Sequence, residues 1–388
     1  LEGKTQREIL SEEHGLICPS TPENEGVDQV VATMSAGKPL KVITVGLQKD
    51  VSLELADKLA STTFTEIVER ISLNDQRDES ERINAITRTR PDLILIAGGT
   101  NGGANQSLSN LIEIIGLASY LQDESHKPHI LYVGHEELHS EVKTSLSQIS
   151  SLHLAPNIQP LMETTRLFPA QQELGGIYTE VKKKRGSGVS QLLSWSDGEF
   201  SSTASAYGRV IRFLSKKYGD DKGVLGVDIG SQHTILSAAF DGEETLKVFP
   251  SLGLGEGSTG ILEHSSLPEI TRWLTLAIPD RKVQDYLYQK SIYPHTIPAE
   301  KEEWAIEQAL ARQALRIAVK DSIPEFPAHT RLSRPSDFPL VEPIIGSGQV
   351  LTGAPSRAHS TLMLLDGIQP SGVTTLARGS NFAVRRAL

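Results

Sequence analysis

The sequence predicts an α/β protein built as two lobes, and three observations carry that prediction. Short β-branched runs alternate with segments of helical period over residues 40–157. A second series of strands opens at Gly223, past a helical stretch. Glycine-rich turns stand at the carboxyl ends of three predicted strands, within residues 97–105, 226–234 and 344–355. Strands buried on both faces read as continuous apolar runs, and helices make the crossovers between them when they are parallel.

Taken in order, residues 1–39 are polar, lack a period and contain Pro19, Pro22 and Pro39, so they are read as an arm with one short helix. A lobe of residues 40–221 follows. Its predicted strands are 40–47, 66–71, 92–99, 129–134 and 152–157, and its predicted helices are 53–60, 83–89, 105–121 and 136–147. Leu108, Leu111, Ile112 and Ile115 carry the helical spacing of the third helix, and Pro91 stops the second. Residues 160–200 read as helices around a flexible loop. The run Lys182-Lys183-Lys184-Arg185 beside Gly186-Ser187-Gly188 is taken as solvated loop. Residues 201–218 are helical, with hydroxyl residues to cap the start and Gly219 to end it.

The second lobe, residues 222–388, opens with a strand and turn at 223–231. A returning strand at 234–242 and a third at 245–251 follow. The helix at 302–319 has Trp304, Ile306, Leu310, Leu315 and Ile317 as its apolar members. Pro324, Pro327, Pro335 and Pro339 make 321–340 irregular. A strand at 342–351 then enters a glycine loop, and a helix starts at Ser356.

A formal net charge of -10 argues against nucleic acid or an anionic membrane as the main partner. Cys18 is the single cysteine, which excludes an intrachain disulfide or a cysteine metal cluster and fits a cytoplasmic setting. No apolar stretch is long enough to span a bilayer and no signal peptide is visible. Aromatics are 5%, so the cores must be aliphatic.

The glycine turns are the places where chemistry would sit. At the first, Gly98, Gly99, Thr100, Gly102 and Gly103 end a strand and precede a helix, so backbone approaches a ligand and helix N–H groups are free to meet it. At the second, Asp228 ends a strand, Gly230 permits a sharp turn, and Ser231 and Thr234 offer hydroxyls. Such a turn holds a phosphate while Asp228 holds Mg²⁺ through water. An ordinary hairpin has the same glycine preference. At the third, Gly346, Ser347 and Gly348 follow a strand and precede a helix.

These segments, in this order, resemble the MutL/GlmL family of proteins associated with adenosylcobalamin-dependent glutamate (methylaspartate) mutase. "RPDLILIAGGTNGGANQSL", "GVDIGSQHT" and "LLDGIQPSGVTTLA" resemble that family's corresponding segments, from about Leu40 to Ala377. The resemblance implies an actin-like ATPase (ribonuclease H-like) two-lobed fold. An Asp-Ile-Gly hairpin, a long helix and a glycine turn after a strand would be the second phosphate motif and the adenosine motif. Implied ligands are ATP or ADP with Mg²⁺, with Asp228 as catalytic and metal residue. Gly230, Ser231 and Thr234 fall on the phosphate side, and Gly346, Ser347 and Gly348 on the adenosine side. A cobalamin mutase is the implied partner. Where the family continues its turn to a second Asp, this chain has Ile235, and Asn101 stands where the family has Asp. The first phosphate hairpin of actin-like ATPases does not precede Leu40, so it lies upstream of Leu1 or is lacking. A weak or inactive ATPase is therefore expected. A non-catalytic interaction protein, or a small-molecule kinase or amide-cleaving ATPase of the same superfamily, are the rival readings.

Two further patterns compete. "HEELH", His135 to His139, matches a zinc-protease signature, with Glu136 as its base, but directly follows a strand. "GEGSTG", Gly255 to Gly260, matches a dinucleotide fingerprint without a clean helix after it, and reads better as a mobile loop beside the nucleotide cleft. The Lys-bearing phosphate loop of P-loop enzymes is absent.

Overall fold

The computed structural model describes residues 7–11, 15–102, 106–185, 189–196, 198–218, 222–330 and 338–378. Gly103, Gly219, Pro335 and the Gly186-Ser187-Gly188 stretch lie outside them. The chain divides into two compact units, Leu1–Ala206 and Tyr207–Leu388.

The first unit is a five-stranded parallel sheet with helical crossovers. In chain order its elements are β1 (Leu40–Gly46), α1 (Glu54–Ala60), β2 (Thr65–Ser72), α2 (Glu79–Thr89), β3 (Leu93–Ile96), α3 (Gln106–Tyr120), β4 (His129–Tyr132), α4 (His139–Leu146), β5 (Ser151–Leu154), α5 (Phe168–Arg185) and α6 (Val189–Trp195). The strand order is β2-β1-β3-β4-β5, every pair parallel. All four residues of β3 and of β4 are buried, as strands covered on both faces must be. Ile43, Val45, Ile94, Ile96 and Ile130 form the centre of an aliphatic core with Leu111, Ile112 and Ile115 of α3. Each such side chain contributes about 1.5–3 kcal/mol by leaving water. Helix α2 starts four residues earlier than its apolar period indicates. A reciprocal cap between Asp78 and Glu81 extends it through polar residues.

Three expectations for this unit need correction. The arm contains no helix among its described residues. Leu10–Ser11 pairs with Gly15–Leu16, and Thr33–Met34 with Ser201–Ser202. The basic run is not a loop but the last turn of α5, where cations meet the negative helix end. Lys182 is 5% exposed and its Nζ donates to the carbonyls of Ala36 (2.8 Å) and Lys38 (2.6 Å), while Arg185 grips Asp92 through its two terminal nitrogens, Nη1 and Nη2. Segment 136–147 is a 3-10 turn, Glu136–Leu138, before α4.

The boundary between the units falls within α7 (Thr203–Tyr218), whose start is capped by the Ser202 hydroxyl accepting from Ser205 N–H and whose residues from Tyr207 onward belong to the second unit. The further elements of the second unit are β6 (Gly223–Ile229), β7 (Thr234–Phe240), β8 (Glu243–Phe249), α8 (Gly260–His264), α9 (Leu267–Thr271), α10 (Asp280–Ile292), α11 (Lys301–Ser322), β9 (Val341–Ser347), α12 (Gln349–Thr352), α13 (Arg357–Ile368) and β10 (Leu376–Arg378). The sheet order is β8-β7-β6-β9-β10. The first three strands form an antiparallel meander, and β9 and β10 add in parallel beside β6. Helix α11 is buried on nearly all sides because Ala305, Ala309, Ala311, Ala314 and Ala318 let neighbours approach. α13 comes close enough that a Cβ on Gly367 would lie 2.7 Å from Leu315. No helix among the described residues is long and apolar enough to cross a membrane.

Candidate functional site

Strand β6 lies between the antiparallel β7 and the parallel β9, and Asp228 is its penultimate residue. The registers place Asp228 opposite Ile235 on one side and Ser347 on the other. Paired residues share a face of the sheet, so these three side chains form a row at the carboxyl edge. The Ser347 hydroxyl donates to Asp228 Oδ1 at 2.5 Å. Burial pushes the Asp228 carboxyl above its ordinary range, and the Ser347 bond works against that rise. Ile235 is fully buried and supplies apolar surroundings on one side. Just inside the row, the Tyr207 hydroxyl meets the carbonyls of both Val227 and Ile345 at 3.0 Å, stapling β6 to β9.

Beyond the row, two loops converge. Gly348 has φ +95°, and a Cβ there would sit 2.1 Å from the carbonyl oxygen of Ile229. The glycine therefore lets the β9 loop lie against the end of β6 before α12 begins. Gly346, within β9, is opposite Val227. The hairpin turn closes through Gly230 N–H to the His233 carbonyl at 3.0 Å. Ser231 is exposed and its carbonyl accepts from Gly255 N–H (2.8 Å) and Gly257 N–H (3.2 Å). Gln232 Nε2 donates to Glu256 at 2.6 Å.

These bonds revise two expectations. The hydroxyl of Thr234 is buried and donates to the Leu252 carbonyl at 2.6 Å, so it braces the turn and is not offered to a ligand. The "GEGSTG" segment packs against the hairpin turn. A Cβ on Gly253, just before it, would lie 2.2 Å from the Ser231 carbonyl oxygen. It is also no dinucleotide fingerprint, because β8 is an antiparallel edge strand and α8 has five residues. The second unit thus brings together Asp228, Ser347, Gly346, Gly348, Gly230 and Ser231. Tyr207 was missed, since a tyrosine whose partners are the Val227 and Ile345 carbonyls and the Ser347 side chain leaves no local sequence pattern.

In the first unit Gly98, Gly99 and Gly102 sit where the sheet order reverses, at the carboxyl ends of β1 and β3. Open α/β sheets take ligands at such a switch point. Gly98, Gly99 and Gly102 all have positive φ, and Thr100 is half-buried. Asn157, also missed by sequence reading, holds this turn. Its Nδ2 donates to the Gly99 carbonyl (2.9 Å) and to Asn101 Oδ1 (3.0 Å). His135 is fully buried, with Nε2 facing Gly102 N–H at 2.7 Å and Nδ1 facing Glu137 N–H at 3.1 Å. Its ring is taken up by backbone, and His139 begins a separate helix, so "HEELH" is not a zinc-protease helix.

The family model described as "MutL protein" matches residues 7–378 of the chain. The chain is also 24% identical over 352 residues to "Protein MutL" of Clostridium tetanomorphum, an alignment covering 83% of this chain and 72% of that protein.

Proposed function

The chain belongs to the MutL family of the glutamate-mutase-associated type, not to the mismatch-repair protein of similar name, and from that premise we propose that its second unit is the nucleotide lobe of an actin-like fold. One observation carries the reading. The expected order of hairpin, long helix and glycine turn is present as β6–β7, α11 and the β9 loop, and Asp228 of the first piece lies beside Ser347 of the last. ATP or ADP would bind at this edge, with phosphates against the Gly230–Ser231 turn and adenosine toward Gly346 and Gly348.

The donor set suits Mg²⁺, which is held by one or two carboxylates with water and phosphate completing its shell. A buried carboxyl with a raised pKa is the group a cation would stabilise most. Bound Mg²⁺ would neutralise phosphate charge. Of the chain's own groups, Asp228 would orient the cation's water shell, Ser347 would fix the Asp228 rotamer, and the turn's N–H groups other than that of Gly230, which is bonded to the His233 carbonyl, would face phosphate.

The same row supports weak or no hydrolysis. Ile235 occupies the place across from Asp228 where a second carboxylate would order water, and Thr234 is already bonded. The role proposed for such a protein is nucleotide-governed attachment to an adenosylcobalamin-dependent mutase. The inactive-fold reading, an interaction protein without turnover, draws on the same Ile235. Hydrogen–deuterium exchange with and without ATP and Mg²⁺ tests the site. Protection should appear over 228–233 and 346–352, and unchanged exchange there would sink the assignment. Steady ATP hydrolysis lost in Asp228→Ala would overturn the inactive version.

A further inference from the structure

We propose that the first unit carries a transition-metal site made by His129, His153 and Glu180, chemically distinct from the Mg²⁺–nucleotide edge of the second unit. His129 opens β4 and His153 is the third residue of the edge strand β5. The register pairs Leu131 with His153, and His129 is two residues before Leu131, so both imidazoles stand on one face of the sheet. Glu180 reaches them from α5. His129 Nδ1 is 3.1 Å from His153 Nε2 and 3.8 Å from Glu180 Oε2, and the three ligand atoms lie within 4.8 Å of one another. It is the one such group of three His, Cys, Asp or Glu side chains among the described residues.

The spacing matches the chemistry. Two nitrogens bound at ~2.0–2.1 Å to a tetrahedral ion are about 3.3 Å apart, close to the distance seen. The Glu180 side chain is 53% exposed and has room to close the remaining gap. Two imidazoles and one carboxylate select Zn²⁺ and its late first-row neighbours, and not Mg²⁺ or Ca²⁺, which want oxygen. Three protein ligands leave a fourth position. His129 lines an open cavity of about 760 Å³ together with Lys127, Lys143, Lys184 and Ser151, so a water or small anion can take that position.

The cavity's lysines oppose a cation, and they separate this proposal from its nearest rival. Lys127 is held by Glu124 at 2.5 Å, but Lys184 is exposed and one helical turn from Glu180. If the site binds metal, Lys184→Gln removes repulsion and tightens binding. If the cavity is an anion site and the histidines merely hydrogen-bond each other, Lys184→Gln does nothing for metal and weakens anion binding.

The test is equilibrium titration of the whole chain with Zn²⁺ in excess Mg²⁺, repeated with Co²⁺ to read coordination from its visible spectrum. Expected are one ion per chain, a tetrahedral Co²⁺ spectrum, binding at least tenfold weaker in His153→Gln and in Glu180→Gln, and tighter in Lys184→Gln. His153 is half-buried on an edge strand and Glu180 is exposed, so both variants should keep the parent's thermal melt, which serves as the folding control. No binding, binding unchanged by His153→Gln and Glu180→Gln, or binding not tightened by Lys184→Gln would each overturn the site.

Discussion

At the scale of single residues, Asp228 is the group on which the proposed chemistry rests, and its burial carries a stability cost. Its carboxyl is held above its ordinary range by burial, so the folded protein binds that proton more tightly than the unfolded chain. The stability this gives is fully present below pH ~3.8 and is lost as pH rises through the folded-state value. Asp228→Asn keeps an acceptor for Ser347 and removes the charge. Urea melts of the ligand-free protein from pH 3.5 to 7 should show a decline in the parent that is shallower in Asp228→Asn. Equal slopes would mean that Asp228 is as well solvated as an ordinary aspartate. The Asp-Ile-Gly pattern made Asp228 and Gly230 legible in the sequence. Thr234 was misplaced because its hydroxyl direction is set by residues 252–257, which pack from a distance. Asn157 and Tyr207 were illegible for a related reason: the Gly99, Val227 and Ile345 carbonyls they bond to are at least twenty residues away, and nothing beside them in the chain announces it.

At the scale of elements, the continuous apolar runs 40–47 and 92–99 announced the buried strands β1 and β3, and the 3.6-residue period announced α3. Helices α8, α9 and α10 had no comparable signal. They are short or mostly polar outside, with Val283 and Leu287 the buried aliphatics of α10. The basic run at 182–185 reads the same in a loop or a helix end, and tertiary partners decide between them. Lys182 joins α5 to the carbonyls of Ala36 and Lys38. Lys182→Met leaves both without that donor and should cost about 1–3 kcal/mol, read as a lower midpoint in chemical melts. Burial lowers the Lys182 pKa to about 8. Between pH ~8 and ~10.5 the folded state has shed a proton that the unfolded chain keeps. Parent stability should therefore gain relative to Lys182→Met across that window. In the second unit, Gly348→Ala would drive a methyl into the Ile229 carbonyl at a positive φ. A loss of roughly 3 kcal/mol or more is expected, and a neutral result would show that the β9 loop can withdraw from β6.

At the scale of the whole molecule, each unit is understood by itself. The first has an all-parallel sheet, and among its described residues no antiparallel hairpin extends it. The second has the mixed sheet whose central hairpin carries Asp228. Alternation of strands and helices made the α/β class legible. Strand order was not, because β6 and β9 meet across more than a hundred residues and their pairing leaves no trace in either segment alone. Residues 7–378 fit the MutL family as a unit, so both sheets belong to its common plan. The central claim, that the β6–β9 edge holds a nucleotide, is tested most directly by calorimetry of ATP and ADP with Mg²⁺ on this chain and on Asp228→Ala. The account predicts saturable binding to the parent that weakens at least tenfold in the variant. Absence of binding, or equal binding to both proteins, would contradict it.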